Sequence, residues 1–261
     1  MIGAIVGDIV GKRFNGEVGP LPHDFKFWED GATFGADTVA TIAICDCLMD
    51  DTTEAADEIA PYLRKWVAQY PDRGFDPAFV KWGLSEDAPA YGASDHGCVA
   101  RALPVAWYKS DSAGDMARMA AAQAAVSHNH PDAIDAAVAV AGVCFMANQG
   151  AGRKQVRDWV EERYGYDLRV RYTDLIANPP PSDSSAKETA RRGLICALWA
   201  SSAEEAIRNA VSLGGETRAT AAVAGGVAQA LYFLELVHQN TALDRLETPL
   251  ESVAMLFRAQ T

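Results

Sequence analysis

The sequence has no run of eighteen or more apolar residues, although about half of its residues (49%) are apolar; they are spread in helical rhythm, which excludes a membrane span by composition. It has no Lys/Arg block long enough to follow a phosphate backbone, and its formal net charge is −12, which disfavours general nucleic-acid binding. An anionic ligand therefore needs a local donor pocket. Cysteine is sparse and odd in number, at Cys45, Cys47, Cys98, Cys144 and Cys196, without the paired spacings of a zinc ribbon or a disulfide framework. These are expected to be reduced, buried thiols. The opening segment lacks the basic n-region of a signal peptide and carries an acid at Asp8, so a cytoplasmic location is expected. Period-two alternation and fixed-length repeats are also missing, which removes the usual marks of sheets and solenoids.

What is present is helical. Ile2, Ile5, Val6, Ile9 and Val10 recur every three to four positions, marking a short buried helix ending near Gly11. Residues 12–32 read as a loop, and a second helix begins near Asp37. Asp51-x-x-Glu54 has the form of a capping box ahead of a third helix through Ile59, Leu63 and Trp66, which Pro61 either bends or starts. Residues 71–95, rich in Pro, Gly and Asp, read as a long loop with a short helix near 78–84. Helices are predicted at about 99–108, 113–126, 132–148 and 154–164, with Pro131 in the first turn of the third. Residues 168–185, including Pro179-Pro180-Pro181, read as a connector. Three more helices follow: 184–200, one capped by Ser202-x-x-Glu205 and stopped at Gly214-Gly215, and a last one over about 217–237. The reading is one all-α, bundle-like domain spanning 1–261.

Four separated stretches resemble the ADP-ribosylglycohydrolase family. Residues 1–11, Met-Ile-Gly-Ala-Ile-Val-Gly-Asp-Ile-Val-Gly, are similar to its first helix, and Ser127-His128-Asn129-His130-Pro131 to its Thr-His-Asn-His-Pro. Tyr164-Gly165-Tyr166-Asp167-Leu168 matches its Tyr-Gly-Tyr-Asp-Leu, and residues 206–215 match the run before its last metal motif. The resemblance implies an all-helical domain with a cleft for ADP-ribose and two divalent cations, magnesium or manganese, at its base. It implies cleavage of ADP-ribosyl linkages and a partner that is ADP-ribose or an ADP-ribosylated substrate.

The motifs that would hold those cations are altered. The family's Thr-Asp-Asp-Thr aligns with Gly35-Ala36-Asp37-Thr38, and its Gly-Gly-Asp-Ser/Thr-Asp-Thr with Gly214-Gly215-Glu216-Thr217-Arg218-Ala219. An acid after the first helix aligns with Asn15. Of the usual ligands only Asp37 and Glu216 remain. A dication roughly 4 Å from the Arg218 guanidinium is repelled by about 8 kcal/mol at an effective dielectric near 20, and arginine does not shed its proton. The metal pair is therefore expected to be absent, with no cofactor in its place. Arg218 is expected between Asp37 and Glu216 in a forked geometry, the alternative being a guanidinium swung to solvent.

The ligand-facing Gly-Asn-Gly-Ser-Ala-Met-Arg aligns with Asp95-His96-Gly97-Cys98-Val99-Ala100-Arg101. Gly97 suits close approach of a phosphate to backbone N–H groups. Asp95, His96 and Cys98 form either a new acid–base or nucleophilic centre or an altered pocket wall. His128 matches a position near the family's ligand, whereas His130 before Pro131 is a candidate helix cap; Tyr91 and Trp107 are candidates for stacking on adenine. Asp37 and Glu216 are thus the catalytic candidates. Thr38, Asp95, His96, Gly97, Cys98, Arg101, His128, Gly214, Gly215 and Arg218 are the ligand-binding ones. Three functions stay open: a metal-independent hydrolase of ADP-ribosyl linkages, a non-catalytic ADP-ribose-binding pseudoenzyme, and a structural protein of crystallin type. The oligomeric state is left open.

Overall fold

The computed structural model describes residues 1–50, 56–108, 112–178 and 183–261. Among them the regular structure is helical, with two isolated β-bridges and no strand or sheet. The Asp51-x-x-Glu54 capping box and the Pro179–Pro181 cluster lie outside the described residues.

Helices α1 (Ile2–Lys12) and α11 (Thr217–Leu231) form the centre, antiparallel to each other. Their apposition is written in small residues. A Cβ on Gly3 would lie 2.2 Å from Gly225 O, one on Gly7 2.0 Å from Ala221 O, and one on Gly11 2.6 Å from Thr217 O. Three glycines at i, i+4 and i+8 thus meet Gly225, Ala221 and Thr217 at the matching spacing of α11, and backbone touches backbone with no side chain between. Thr217 Oγ1 donates to Gly11 O at 2.8 Å and closes the end of the seam. Every residue of α1 from Ile2 to Gly11 is buried, Asp8 included.

Around this pair pack α2 (Ala36–Met49), α9 (Ala186–Leu198), α10 (Ala203–Ser212) and α6 (Pro131–Asn148). Outer helices are α3 (Ala56–Gln69), α4 (Pro77–Gly83), α5 (Ala113–Ala125), α7 (Arg153–Tyr164) and α8 (Tyr172–Ala177), with α12 (Leu236–Leu243) and α13 (Thr248–Gln260) at the end. One continuous apolar core runs from Met1 to Phe257. By length and composition α6 could cross a membrane, with mean hydropathy 1.3; here it is a core helix, with Ala136 to Cys144 buried against its neighbours. All five cysteines are buried, and no disulfide joins them among the described residues.

Local signals explain most boundaries. Ser112, Ser185 and Ser202 cap α5, α9 and α10 by accepting from the backbone three residues on, and Asp76 caps α4. His130 caps α6, Asp132 N donating to its Nδ1 at 3.2 Å, with Pro131 in the first turn.

Three expectations need correction, and the alternative left open at Pro61 is decided. Residues 96–98 and 100–106 form 3-10 turns instead of an α-helix over 99–108, because Pro104 has no N–H for an α-helical bond to Ala100 and its ring would crowd that carbonyl. The connector 168–185 contains α8. Pro61 lies inside α3. Finally, α11 stops at Leu231, not 237: Tyr232 turns extended and its hydroxyl sits 2.7 Å from Ala200 O and 3.0 Å from Ala197 O. That tertiary anchor has no local punctuation, and beyond it α12 and α13 were not anticipated.

The seam yields a direct test. Gly7→Ala is expected to force α1 off α11 and cost about 3 kcal/mol, the upper range of overpacking. Gly114→Ala, on the exposed first turn of α5 where the nearest atom would be Ser112 Oγ at 3.5 Å, should be neutral or slightly stabilising. Urea unfolding of the two variants separates the cases; equal midpoints would mean that the seam is not tightly packed.

Candidate functional site

One cavity of about 240 Å³ opens where the N-termini of α2 and α11, the turn before α4, and the 95–97 turn converge. Its wall includes Asp37, Glu216 and Arg218, with Asp95, His96, Gly97 and His128. Asn15, Gly74, Phe75, Asp76, Phe79 and Ser184 complete it, together with Ala36 and Ala40.

The deepest element is a charge cluster. Asp8, in mid-α1, is fully buried. Its Oδ2 accepts from Gly35 N at 2.6 Å, Thr38 N at 3.3 Å and the Thr38 hydroxyl, so an acid from one helix caps the N-terminus of another. Its Oδ1 has no hydrogen-bond partner and faces Arg218 Nε at 3.9 Å. Arg218 turns inward, 8% exposed, with Nε 3.0 Å from Asp37 Oδ2. That contact is an ion pair by distance only, since neither atom makes a directed hydrogen bond. The guanidinium spends its Nη1 on Gly74 O at 2.8 Å and Arg73 O at 3.4 Å. Burial opposes the charge of Arg218, but Asp37, Asp8 and Glu216 outweigh it and raise its pKa. Burial, followed by the Asp37 charge, pushes Asp8 up to about 6, against the pull of Arg218 and its hydrogen bonds.

The expected fork of Arg218 on Asp37 and Glu216 is therefore corrected: its acids are Asp37 and Asp8, and Glu216 is engaged elsewhere. Glu216 precedes the first turn of α11, and its Oε2 lies 3.4 Å from His96 Nε2 and 3.5 Å from Asn15 Nδ2. The His96 hydrogen bond leads the effects that hold Glu216 below its ordinary value. For His96 burial works the other way, but Glu216 and Asp37 outweigh it and raise its pKa. Asn15 also accepts from Arg218 N at 3.2 Å, linking the loop after α1 to α11.

On the opposite wall, Asp95 Oδ1 accepts from Gly97 N at 3.0 Å and contacts His128 Nε2 at 3.1 Å. The segment is tied down by His96 N donating to Ser184 O and Ala186 N to Ser94 O, at 3.0 and 2.9 Å. Burial raises Asp95, yet the His128 and Gly97 contacts together hold it well below the carboxylate range. Burial lowers the pKa of His128, against the Asp95 hydrogen bond that raises it.

The other sequence candidates lie off the cavity. Thr38 is buried and turned to Asp8. Cys98 is buried, with Sγ 3.5 Å from Ala133 O, and burial pushes its thiol up to about 12, so a Cys98–His96 dyad is not formed. Arg101 is 1% exposed beneath the wall. Gly214 and Gly215 have φ of +73° and +70°, and Gly215 exchanges hydrogen bonds with Glu17 and Gly16; a Cβ on Gly214 would meet Gly19 N at 2.3 Å. They shape the loop that presents Glu216. Tyr91 lines a separate shallow groove beside Trp82, and Trp107 is packed against the core.

Sequence reasoning passed over Asp8 as a site residue, although a carboxylate amid glycine and aliphatic residues of a buried helix is itself a signal. Phe79, whose ring is 6.1 Å from that of His128, carried no signal.

The family model for ADP-ribosylglycohydrolases matches residues 1–259, and the chain belongs to that family. Among solved structures it is similar to one described as an "ADP-ribosylglycohydrolase-related protein complex", with a TM-score of 0.73 and 21% identity, covering 100% of this chain and 97% of that one; at that identity the likeness shows the fold. No curated protein matches. A pair of dications needs a concentration of carboxylate oxygens. Here Asp8 is spent on the cap of α2, Asp37 faces a guanidinium and Glu216 an imidazole. Among the described residues no group of three or more His, Cys, Asp or Glu is arranged to hold a metal. The residues present do not fit a binuclear centre.

The raised Asp8 has a sign that can be checked. The folded chain holds this proton up to about pH 6, the unfolded chain only to its ordinary 3.8. Stability from the group is fully present below the lower value and lost as pH rises through the upper one. On going from about pH 7.5 to about pH 4.5, the natural chain should gain on Asp8→Asn by on the order of 2 kcal/mol in denaturant unfolding. A difference that does not change with pH would show Asp8 to be fully compensated by Arg218.

Proposed function

We propose that this chain binds ADP-ribose or an ADP-ribosylated substrate in the cavity without divalent cations. The observation that carries the reading is the buried Arg218, Nε 3.0 Å from Asp37 and 3.9 Å from Asp8, supplying a fixed positive charge among acids that no longer converge on a metal. The carboxylates of Glu216, Asp95 and Asp76 along the wall are acceptors suited to ribose hydroxyls, and His96 and Arg218 are the cationic groups available to a phosphate.

A hydrolytic reading has one observation in its favour: His96 and Glu216 stand side by side in the wall, 3.4 Å apart, with the imidazole held toward its protonated form. Cleavage of an ADP-ribosyl bond builds oxocarbenium character at the ribose and charge on the leaving atom. Glu216 or Asp37 would stabilise the first and take the proton of the water that forms the new bond to the anomeric carbon, and the His96 imidazolium would give a proton to the second, so that the leaving group departs neutral. Without that proton transfer the same cavity serves a non-catalytic binder.

Calorimetry with ADP-ribose, in chelator and again with manganese or magnesium, tests the first claim. The expected result is the same affinity in both, and binding only with metal would overturn it. Release of ADP-ribose from modified arginine, serine or small conjugates in chelator tests the second. Activity there should fall by about a hundredfold or more in Glu216→Gln if this acid acts in the transition state. Binding without turnover would assign the chain to the non-catalytic class.

A further inference from the structure

Beneath the Asp95 wall lies a buried polar chain that neither the fold nor the charge cluster requires. Arg101 is 1% exposed, and Phe79 covers it, the guanidinium carbon 5.2 Å from the ring centroid. Its Nε donates to Gln123 Oε1 at 2.8 Å, and its Nη2 to Gln123 O and to Ser127 Oγ, both at 2.9 Å. Gln123 is fixed in turn, its amide Nε2 donating to Cys98 O at 3.1 Å and Ala120 O at 3.0 Å. Ser127 Oγ then lies 2.8 Å from His128 Nδ1, and His128 Nε2 lies 3.1 Å from Asp95 Oδ1. Such a chain, buried at three of its four links, is costly unless every hydrogen has a direction.

The directions are forced from both ends. Arginine only donates, so the Arg101–Ser127 contact uses a lone pair of the hydroxyl and leaves its hydrogen for His128 Nδ1. At the other end, a bare Nε2 would set its lone pair against a carboxylate oxygen at 3.1 Å with no hydrogen between them. A doubly protonated ring would make Ser127 accept from two donors and strand its own hydrogen. A neutral His128 with its hydrogen on Nε2 is the one arrangement that gives every hydrogen of Ser127 and His128 an acceptor, while Arg101 Nη1 lacks a partner in all of them. Asp95 Oδ1 is thereby occupied by His128 and by Gly97 N, and Asp95 lines the cavity, so Oδ2 is the oxygen left for a ligand.

We propose that Arg101 and Ser127 are positioning residues: through hydrogen bonds they lock His128 in the Nε2–H tautomer, and His128 aims the second oxygen of Asp95 at a ligand donor, of the class of a ribose hydroxyl. The identity of that ligand rests on the binding function proposed above; the relay does not. It gives Arg101 a role although it never reaches the cavity, and it explains why a cavity wall stands on an unexposed guanidinium. Gly97 belongs to the same device, because a Cβ there would lie 2.9 Å from His128 Nε2 and 3.1 Å from Asp95 Oδ1, in the path of the contact.

The test begins on the unaltered chain. In ¹⁵N-labelled protein at neutral pH, the ring nitrogens of His128, assigned by their loss in His128→Asn, should report a protonated Nε2 and a bare Nδ1. The opposite tautomer, or an imidazolium, would overturn the proposal without any variant having to fold. Ser127→Ala removes the donor at Nδ1 while Asp95 still holds the hydrogen on Nε2, so Nδ1 should take up a second proton at higher pH than in the natural chain, whereas Ser127→Thr, which keeps the hydroxyl, should restore the natural midpoint; an unchanged midpoint in Ser127→Ala would also overturn the proposal. Calorimetry with ADP-ribose should show about tenfold weaker binding in Asp95→Asn and in Ser127→Ala, with Ser127→Thr within about twofold of the natural chain. A shifted His128 midpoint with undiminished affinity would remove Asp95 from the ligand. An unaltered chain that has the expected tautomer but takes no ADP-ribose would refute the binding function and leave the relay standing.

Discussion

Helices α1 and α11 approach until their backbones touch, and everything at the cavity is referred to that contact. Gly3, Gly7 and Gly11 face Gly225, Ala221 and Thr217 with no room for a Cβ. Asp8 and Arg218 each follow a seam residue by one position, so the spacing that removes side chains from the interface also sets one carboxylate and one guanidinium at its end. Their separation, 3.9 Å from Oδ1 to Nε, is a consequence of helix packing as much as of charge. With Asp8 bound to the first turn of α2 through Gly35 and Thr38, the seam sets Asp37 as well, and three helices register on one buried acid.

Electrostatics then decides what the cavity offers. Its acids do not point to a common centre: each has been given its own partner, Asp8 the end of α2, Asp37 the guanidinium of Arg218, Glu216 the imidazole of His96, and Asp95 the imidazole of His128. A site built for dications keeps its carboxylates convergent, whereas here each of these four is held by a different partner. The two histidines differ although each faces a carboxylate. His96 has two acids near it that outweigh burial and raise its pKa, while burial, aided by the Arg101 charge, lowers that of His128 against the single acid Asp95.

Much of this was legible in the residue order. The 3.6-residue rhythm marks α1 and α2, and Pro131 in the first turn of α6 and serine at the starts of α9 and α10 are local chemistry that acts in the same way wherever the helix is placed. Replacement of an acid by Arg218 was legible too, because changing the sign of a charge has meaning before any coordinate is known. Where the rhythm misled, the reason was a distant contact or a proline. Tyr232 ends α11 by reaching Ala197 and Ala200 on another segment, and Pro104 tightens a helical pattern into 3-10 turns.

Sequence by itself determined the helical class, most helix starts and the charge inventory of the cavity, since these depend on neighbours a few residues apart or on composition alone. Only the tertiary structure decided the partners. That Glu216 takes His96 while Arg218 takes Asp37 and Asp8, that Cys98 and Arg101 turn away from the cavity beside Gly97, and that Asp8 belongs to the site at all are facts about side chains more than a hundred residues apart or about the direction in which adjacent ones point. A linear pattern holds spacing along one helix; it does not hold the rotation of that helix against another, and here that rotation is set by how closely glycine lets α1 and α11 meet.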